Sequence, residues 1–379
     1  MKFVVVPDSF KGTLSSAEIC ETVKRSIEKE MPEASVTTVP IADGGEGSAD
    51  AFLSISGGEK VYVKVPGPLF DETKAFYALS SDGKTAVIEM AACAGLPLVE
   101  NRKKPLETTT YGVGQLINDA ARKGAKRIIL CLGGSATNEA GCGAACACGV
   151  EFFNKKGEKF VPVGRTLSEI ERIDRSNLFN YLKGIEFITM CDVKNTMFGP
   201  GGASQVFGPQ KGASKDDIAL LEKGIIHLCK KVKSDLGTDI SYIEGSGAAG
   251  GMGGGTVAFF GSVLKPGIDT LLDFADFDST IRDADYIITG EGRIDGQSIR
   301  GKVISGVAAR AKKQNVPVIV LAGGALDKEI ERMYDLGVTG VFTINRLAED
   351  FKKSAPKSAE NLAFTVKNII KLIKTKERI

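Results

Sequence analysis

The sequence predicts an α/β protein: two α/β domains with parallel-rich sheets, one of them discontinuous in sequence. Three observations carry that expectation. Short β-branched runs alternate with segments of helical periodicity along most of the 379 residues, the rhythm of strand–helix–strand units. Glycine and acidic residues gather just after the strand ends, where ligands bind in open α/β sheets. Composition also shifts twice, at "VPGPLFDE" (65–72) and at "LKPGIDTLLD" (264–273).

The elements follow in order. "KFVVVP" (2–7) is a buried strand. A helix starts near Ser15, where Ser15 and Glu18 have capping-box spacing and Ile19, Val23 and Ile27 form one apolar stripe. "SVTTVP" (35–40) and "TAVIEMA" (85–91) are strands, and "TTYGVGQLINDAARKGAK" (109–126) reads as a helix ending at Gly124. "RIILCLG" (127–133), "IEFITMC" (185–191), "DYIITG" (285–290) and "VPVIVLAG" (316–323) complete the buried strands, and a last helix spans about 358–374. The shifts in composition suggest a Rossmann-like domain from 1–64 plus 284–379, with an α/β domain of 65–283 inserted into it.

Composition excludes several function classes. Net charge is +2 with balanced signs, so bulk electrostatics point to neither nucleic acid nor membrane. No run approaches the roughly 18 apolar residues of a membrane span, and Met1-Lys2 leads straight into a strand without a secretory leader. A cytoplasmic protein is expected. Eight cysteines without a C-x-x-C pair argue against a disulfide framework or a structural zinc. His227 is the single histidine, so Ser-His-Asp and Cys-His catalysis are absent and acid–base chemistry falls to carboxylates, Lys, Tyr or water.

Five turns after strands concentrate chemistry. They are "PDSFKG" with Asp8, Ser9 and Lys11; "ADGGEG" with Asp43 and Glu46; "GGSATNEAG" with Ser135, Thr137, Asn138 and Glu139; "CDVKN" with Asp192 and Asn195; and "GEGRIDGQSIRGK" with Glu291, Arg293, Asp295, Ser298 and Lys302. A single glycine turn after a strand is mostly backbone geometry. Five on one sheet edge, most carrying acids, call for cations, either Mg²⁺ or the interleaved Lys and Arg. Phosphoryl transfer needs this combination: acids for magnesium, glycine backbone and helix N-termini for phosphate oxygens, Lys and Arg for developing charge.

Residues 296–302 fit G-x-x-x-x-G-K, but Val303 stands where a P-loop places its magnesium-binding Ser or Thr, and the preceding strand ends too early. Walker A is therefore rejected, with Glu291 and Asp295 available for the metal. A second glycine-rich stretch, "GSGAAGGMGGGTVAFFG" (245–261), allows either close approach to a ligand or packing against small residues. "FGPQKGAS" (207–214) sets Gln210 and Lys211 before a helix with the same two readings.

Taken together, "PDSFKGTLS", "PIADGGEGS", "AVIEMAACAGL", "TTTYGVGQLI", "GGSATNEAG", "CDVKN", "FGPQKGA", "GSGAAGGMGGG", "LKPGID" and "ITGEGRIDGQSIRGK" resemble the bacterial glycerate kinase type 1 family in order along essentially the whole chain. The resemblance implies phosphorylation of D-glycerate by ATP with Mg²⁺, giving 2-phosphoglycerate, at an active site in the cleft between two α/β domains. It further implies that Lys11 binds phosphate or the glycerate carboxylate beside Asp8 and Ser9. Asp43 and Glu46 would bind magnesium or substrate, and Ser135, Thr137 and Asn138 would form a phosphate-contacting turn. Asp192 is the expected general base, with Asp295 and Asp43 as rivals. Glu291 and Asp295 would join the metal site, and Arg293 and Lys302 would meet carboxylate or phosphate.

Two departures from the family pattern stand out. S-A-T-N-E-A-G replaces the usual S-A-T-N-D-G-G, which puts a metal role for Glu139 in doubt. "GPGGA" (199–203) lacks an arginine usual there, so Arg165 or Lys211 would have to substitute. Three alternatives are weighed against this reading: a kinase of a related hydroxy acid or one forming 3-phosphoglycerate, a nicotinamide-linked dehydrogenase, and a non-catalytic glycerate or nucleotide sensor. The dehydrogenase lacks G-x-G-x-x-G after its first strand, and a sensor would need only half of these residues. Small-molecule partners are expected, without nucleic acid or membrane; an oligomer stays open.

Overall fold

The computed structural model describes residues 1–41, 47–296, 298, 302–347 and 349–376. Two compact units divide the chain, Met1–Asp43 with Gly267–Ile379, and Gly44–Pro266.

The first unit is built on five parallel strands in the spatial order Val338–Thr343, Val318–Ala325, Tyr286–Ile294, Lys2–Val5 and Ser35–Thr38. Numbered along the chain this is 5-4-3-1-2, so the winding reverses between Lys2–Val5 and Tyr286–Ile294. That is the switch point at which doubly wound sheets bind ligands. The Ser15 cap forms as the spacing predicts: the Glu18 amide donates to Ser15 Oγ at 3.2 Å and the Ser15 amide to the Glu18 carboxylate at 2.8 Å. The Ile19, Val23 and Ile27 stripe then packs with Leu362, Val366 and Ile370 of the final helix, Ser358–Lys376, over Phe3 and Val5.

The second unit holds a six-stranded mixed sheet in the order Val263–Lys265, Glu186–Met190, Arg127–Cys131, Thr85–Glu89, Glu72–Leu79 and Glu59–Pro66. The first four strands are parallel and the last two antiparallel. A three-stranded antiparallel ribbon, Lys159–Phe160, Glu151–Phe153 and Arg172–Asp174, accompanies it.

The expected boundaries at 64/65 and 283/284 differ from these units. The Pro-Gly stretch at 65–72 is a hairpin turn rather than a linker: Pro66 pairs with Glu72, and the Gly67 amide donates to the Asp71 carbonyl at 2.6 Å. Residues 59–66 therefore pair within the second sheet. The shift at 264–273 does coincide with a passage between units, where the edge strand Val263–Lys265 ends and the helix Gly267–Phe274 begins.

Candidate active site

In the first unit, both strands that flank the switch point deliver their following residues to one pocket. Pairing continues past the strand ends, with the Val6 amide donating to the Ile288 carbonyl and the Asp8 amide to the Gly290 carbonyl, both at 2.8 Å. This register sets Asp8, Ser9 and Lys11 beside Glu291, Arg293 and Asp295 around a pocket of about 460 Å³. Asp8 is buried, and its Oδ1 accepts the Ser9 amide at 2.7 Å, which fixes the carboxylate within the turn. Lys11 and Arg293 are exposed and line the pocket with their cationic side chains.

Glu291 is the strained group of this pocket. It is 5% exposed, and its Oε1 has no hydrogen-bond partner among the described residues. Burial pushes it up to about 7, against the pull of a Ser298 hydrogen bond and the Lys302 charge, while the Asp8 and Asp295 charges raise it further. Ser298 organises the loop below: its Oγ accepts the Asp295 amide at 3.0 Å, and its own amide donates to the Asp295 carbonyl at 3.0 Å. Lys302 lines the pocket from the N-cap of the helix Val303–Lys313, and Val303 is fully buried, so it supplies packing where a P-loop has a metal ligand.

Two of the expected acids, Asp43 and Glu46, lie outside the described residues. Residues that the sequence did not single out complete the wall: Gly323 and Gly324 after Val318–Ala325 begins, Asn345, and the aromatic rings of Phe10 and Phe351. The two glycines lie inside that strand near its C-terminal end, the end at which doubly wound sheets meet ligands. Asn345 was not legible, because the strand Val338–Thr343 before it carries no continuous apolar run.

In the second unit, Ser135, Thr137 and Asn138 follow the strand Arg127–Cys131 and are 6%, 1% and 0% exposed. Lys211, 2% exposed, donates to Ser135 Oγ at 2.9 Å and to the Thr137 carbonyl at 2.6 Å. Asn138 Nδ2 donates to Ser204 Oγ at 3.1 Å. The segment 203–211 is thereby clasped onto the turn at both ends. Thr137 Oγ1 and Asn138 Oδ1 are buried without a partner among the described residues. Burial pushes Glu139 up to about 6, and it serves as an anchor: its two oxygens accept the Thr110 amide at 2.8 Å and the Gly143 amide at 3.0 Å.

The glycine-rich stretch 245–261 resolves toward packing against the chain itself. A Cβ on Gly250 would stand 2.1 Å from the Thr137 carbonyl oxygen, and one on Gly255 would stand 1.9 Å from that of Ala140. Asp192 is exposed just after the strand Glu186–Met190 in this same unit. His227, half-buried, meets the Ile170 carbonyl at 2.7 Å. Arg165 pairs with Glu107 at 3.6 Å on the surface.

The profile of the Glycerate kinase family matches residues 3–374. A glycerate kinase of Bacillus cereus is 43% identical over 97% of both chains, and one of Bacillus subtilis is 40% identical over 99% of both. A glycerate 2-kinase of Escherichia coli is 41% identical over 91% of this chain and 90% of its own. A crystal structure from Salmonella typhimurium LT2, provisionally named glycerate kinase 2, matches all of both chains with a TM-score of 0.91 and 38% identity.

Proposed function

We infer the reaction from one premise: this chain belongs to the glycerate kinase family, and it is a kinase. The reading is ATP- and Mg²⁺-dependent phosphorylation of D-glycerate to 2-phosphoglycerate. The observation that carries it is the pocket at the switch point, where three basic side chains (Lys11, Arg293 and Lys302) face the buried, partly orphaned carboxylate of Glu291. The E. coli relative's name as a glycerate 2-kinase supports the position of the phosphoryl group.

The donor set fits a magnesium ion of the kind kinases use. Among the described residues no three His, Cys, Asp or Glu side chains converge on one point. Mg²⁺ commonly takes only one or two carboxylates, with substrate phosphates and water completing its shell. Glu291, with an oxygen that lacks a partner among the described residues, and Asp295 on the same pocket are the described residues that would hold it; Asp43 and Glu46 remain proposed ligands. Bound there, the ion would neutralise phosphate charge.

This chain's own groups do the rest. Lys11, Arg293 and Lys302 offset the charge of phosphate or carboxylate oxygens, and the forked guanidinium of Arg293 suits a two-oxygen contact. Asp8 and Ser9 shape the turn that presents Lys11. Asp192 is the proposed base: it takes the proton of the glycerate hydroxyl as the new O–P bond forms and ADP leaves. Asp295 is its rival. Ser135, Thr137 and Asn138 form the proposed phosphate-contacting turn.

A phosphorus NMR time course of the purified protein with ATP, Mg²⁺ and D-glycerate tests the reading. A new monoester signal of 2-phosphoglycerate is expected. A 3-phosphoglycerate signal would move the acceptor hydroxyl, and no phosphate transfer to D-glycerate would overturn the substrate.

A further inference from the structure

Lys211 has no part in the mechanism above, yet it is enclosed in the second unit, and an enclosed ammonium is costly. Burial pulls it down to about 7, with only the through-space Glu139 charge opposing. An apolar side chain of similar length would fill the same volume, and such replacements of buried charges are often neutral or stabilising. Packing alone therefore gives no reason for a lysine here. What Lys211 does is specific: two of its three hydrogens are used, one on Ser135 Oγ at 2.9 Å and one on the Thr137 carbonyl at 2.6 Å.

The first of these bonds decides what Ser135 can offer. A serine hydroxyl has one hydrogen to give and two lone pairs. With the ammonium on a lone pair, the hydroxyl is polarised, and its hydrogen is left to point away from Lys211. Among the described residues that hydrogen has no acceptor. Ser135 itself keeps 6% of its surface open, next to the exposed Gly133 and Gly134. A hydroxyl that already accepts from Lys211 donates more strongly to an anionic oxygen, and one held in place beforehand costs no reorganisation when that oxygen arrives. The Asn138–Ser204 bond steadies the other end of the same turn.

We propose that Lys211 is a positioning residue that holds the Ser135 hydroxyl as a fixed donor to an anionic oxygen of a bound substrate, phosphate or carboxylate. The proposal rests on the kinase reading and adds to it a residue that never touches substrate. Because it acts through Ser135, its effect must vanish when that hydroxyl is gone. A merely structural lysine would not behave so.

The test is a double-mutant cycle in steady-state kinetics on the full chain, with Lys211→Met, Ser135→Ala and both together, each melted thermally as a check on folding. Each single change is expected to lower kcat/KM by roughly 10- to 100-fold. In the Ser135→Ala background, Lys211→Met should cost less than about threefold. A rise confined to the KM for ATP would identify a nucleotide phosphate as the acceptor. One confined to the KM for D-glycerate would identify its carboxylate, and a fall in kcat alone the phosphoryl group in transfer. Additive losses, or a Ser135→Ala enzyme with wild-type constants, would overturn the proposal while wild-type turnover left the kinase reading standing. No glycerate-dependent turnover in the wild type would overturn both. Should Lys211→Met fail to fold, Lys211→Gln takes its place in the same cycle, and additive losses there overturn the proposal.

Discussion

Burial of Glu291 makes the stability of the first unit depend on pH. Its carboxyl loses a proton at about 4.5 in an open chain but only at about 7 when folded. A raised carboxyl value means the folded state holds its proton more tightly than the unfolded state. The stability it contributes is therefore complete below about 4.5 and is lost as pH rises through 7, a change of roughly 3 kcal/mol. Glu291→Gln should thus melt above the wild type at pH 8 in metal-free buffer, with the two curves converging toward pH 4.5. Equal pH slopes in thermal melts would contradict this. The question of the base also belongs to single residues. Asp192→Asn is expected to lower kcat by about 10²–10⁴ with nucleotide affinity retained. If Asp295→Asn shows that loss and Asp192→Asn does not, the base lies in the first unit's pocket.

Elements hold these groups in place through contacts that local sequence does not announce. Glu139 ties two helix starts together, since its carboxylate takes the Thr110 amide before Tyr111–Arg122 and the Gly143 amide inside Cys142–Ala147. Glu139→Ala would strand two buried amides, at about 1–3 kcal/mol each, so denaturant melts should show a loss of roughly 2–6 kcal/mol. The kinked start of Ala248–Phe260 lies against the same turn. Gly250 has a φ of +68° and no room for a Cβ beside the Thr137 carbonyl. Gly250→Ala should therefore cost about 2 kcal/mol or more, from left-handed backbone strain and from the displaced turn. A melt unchanged within 0.5 kcal/mol, the usual size of a harmless surface change, would contradict it. Element identity was largely legible: the apolar runs at 2–7, 127–133, 185–191 and 316–323 all form strands. The ribbon strands of two or three residues and the strand Val338–Thr343 were not, because short or half-exposed strands leave no apolar run to read.

For the whole molecule, topology dictates which pieces can exist alone. The first unit's sheet needs Lys2–Val5 inside it and Ser35–Thr38 at its edge, far in sequence from the other three strands. A fragment of residues 267–379 lacks both and should give no cooperative melt. The continuous fragment 44–266 retains all six strands of its main sheet and its ribbon and should unfold cooperatively in circular dichroism. A cooperative melt from 267–379 would show that the N-terminal strands are dispensable.

Local sequence suffices for the α/β class, the buried strands, the Ser15 cap and the acid- and glycine-bearing turns. Each is written in neighbouring residues, as an apolar run, a periodicity or a fixed spacing. The three-dimensional fold brings Asp8 and Glu291, separated by most of the chain, into one pocket, because parallel pairing of Lys2–Val5 with Tyr286–Ile294 makes them neighbours. It alone showed that the change at 65–72 is a hairpin rather than a boundary. It alone placed Lys211 behind Ser135, since the burial of a charge depends on what the rest of the fold stacks over it and leaves no local mark on the sequence.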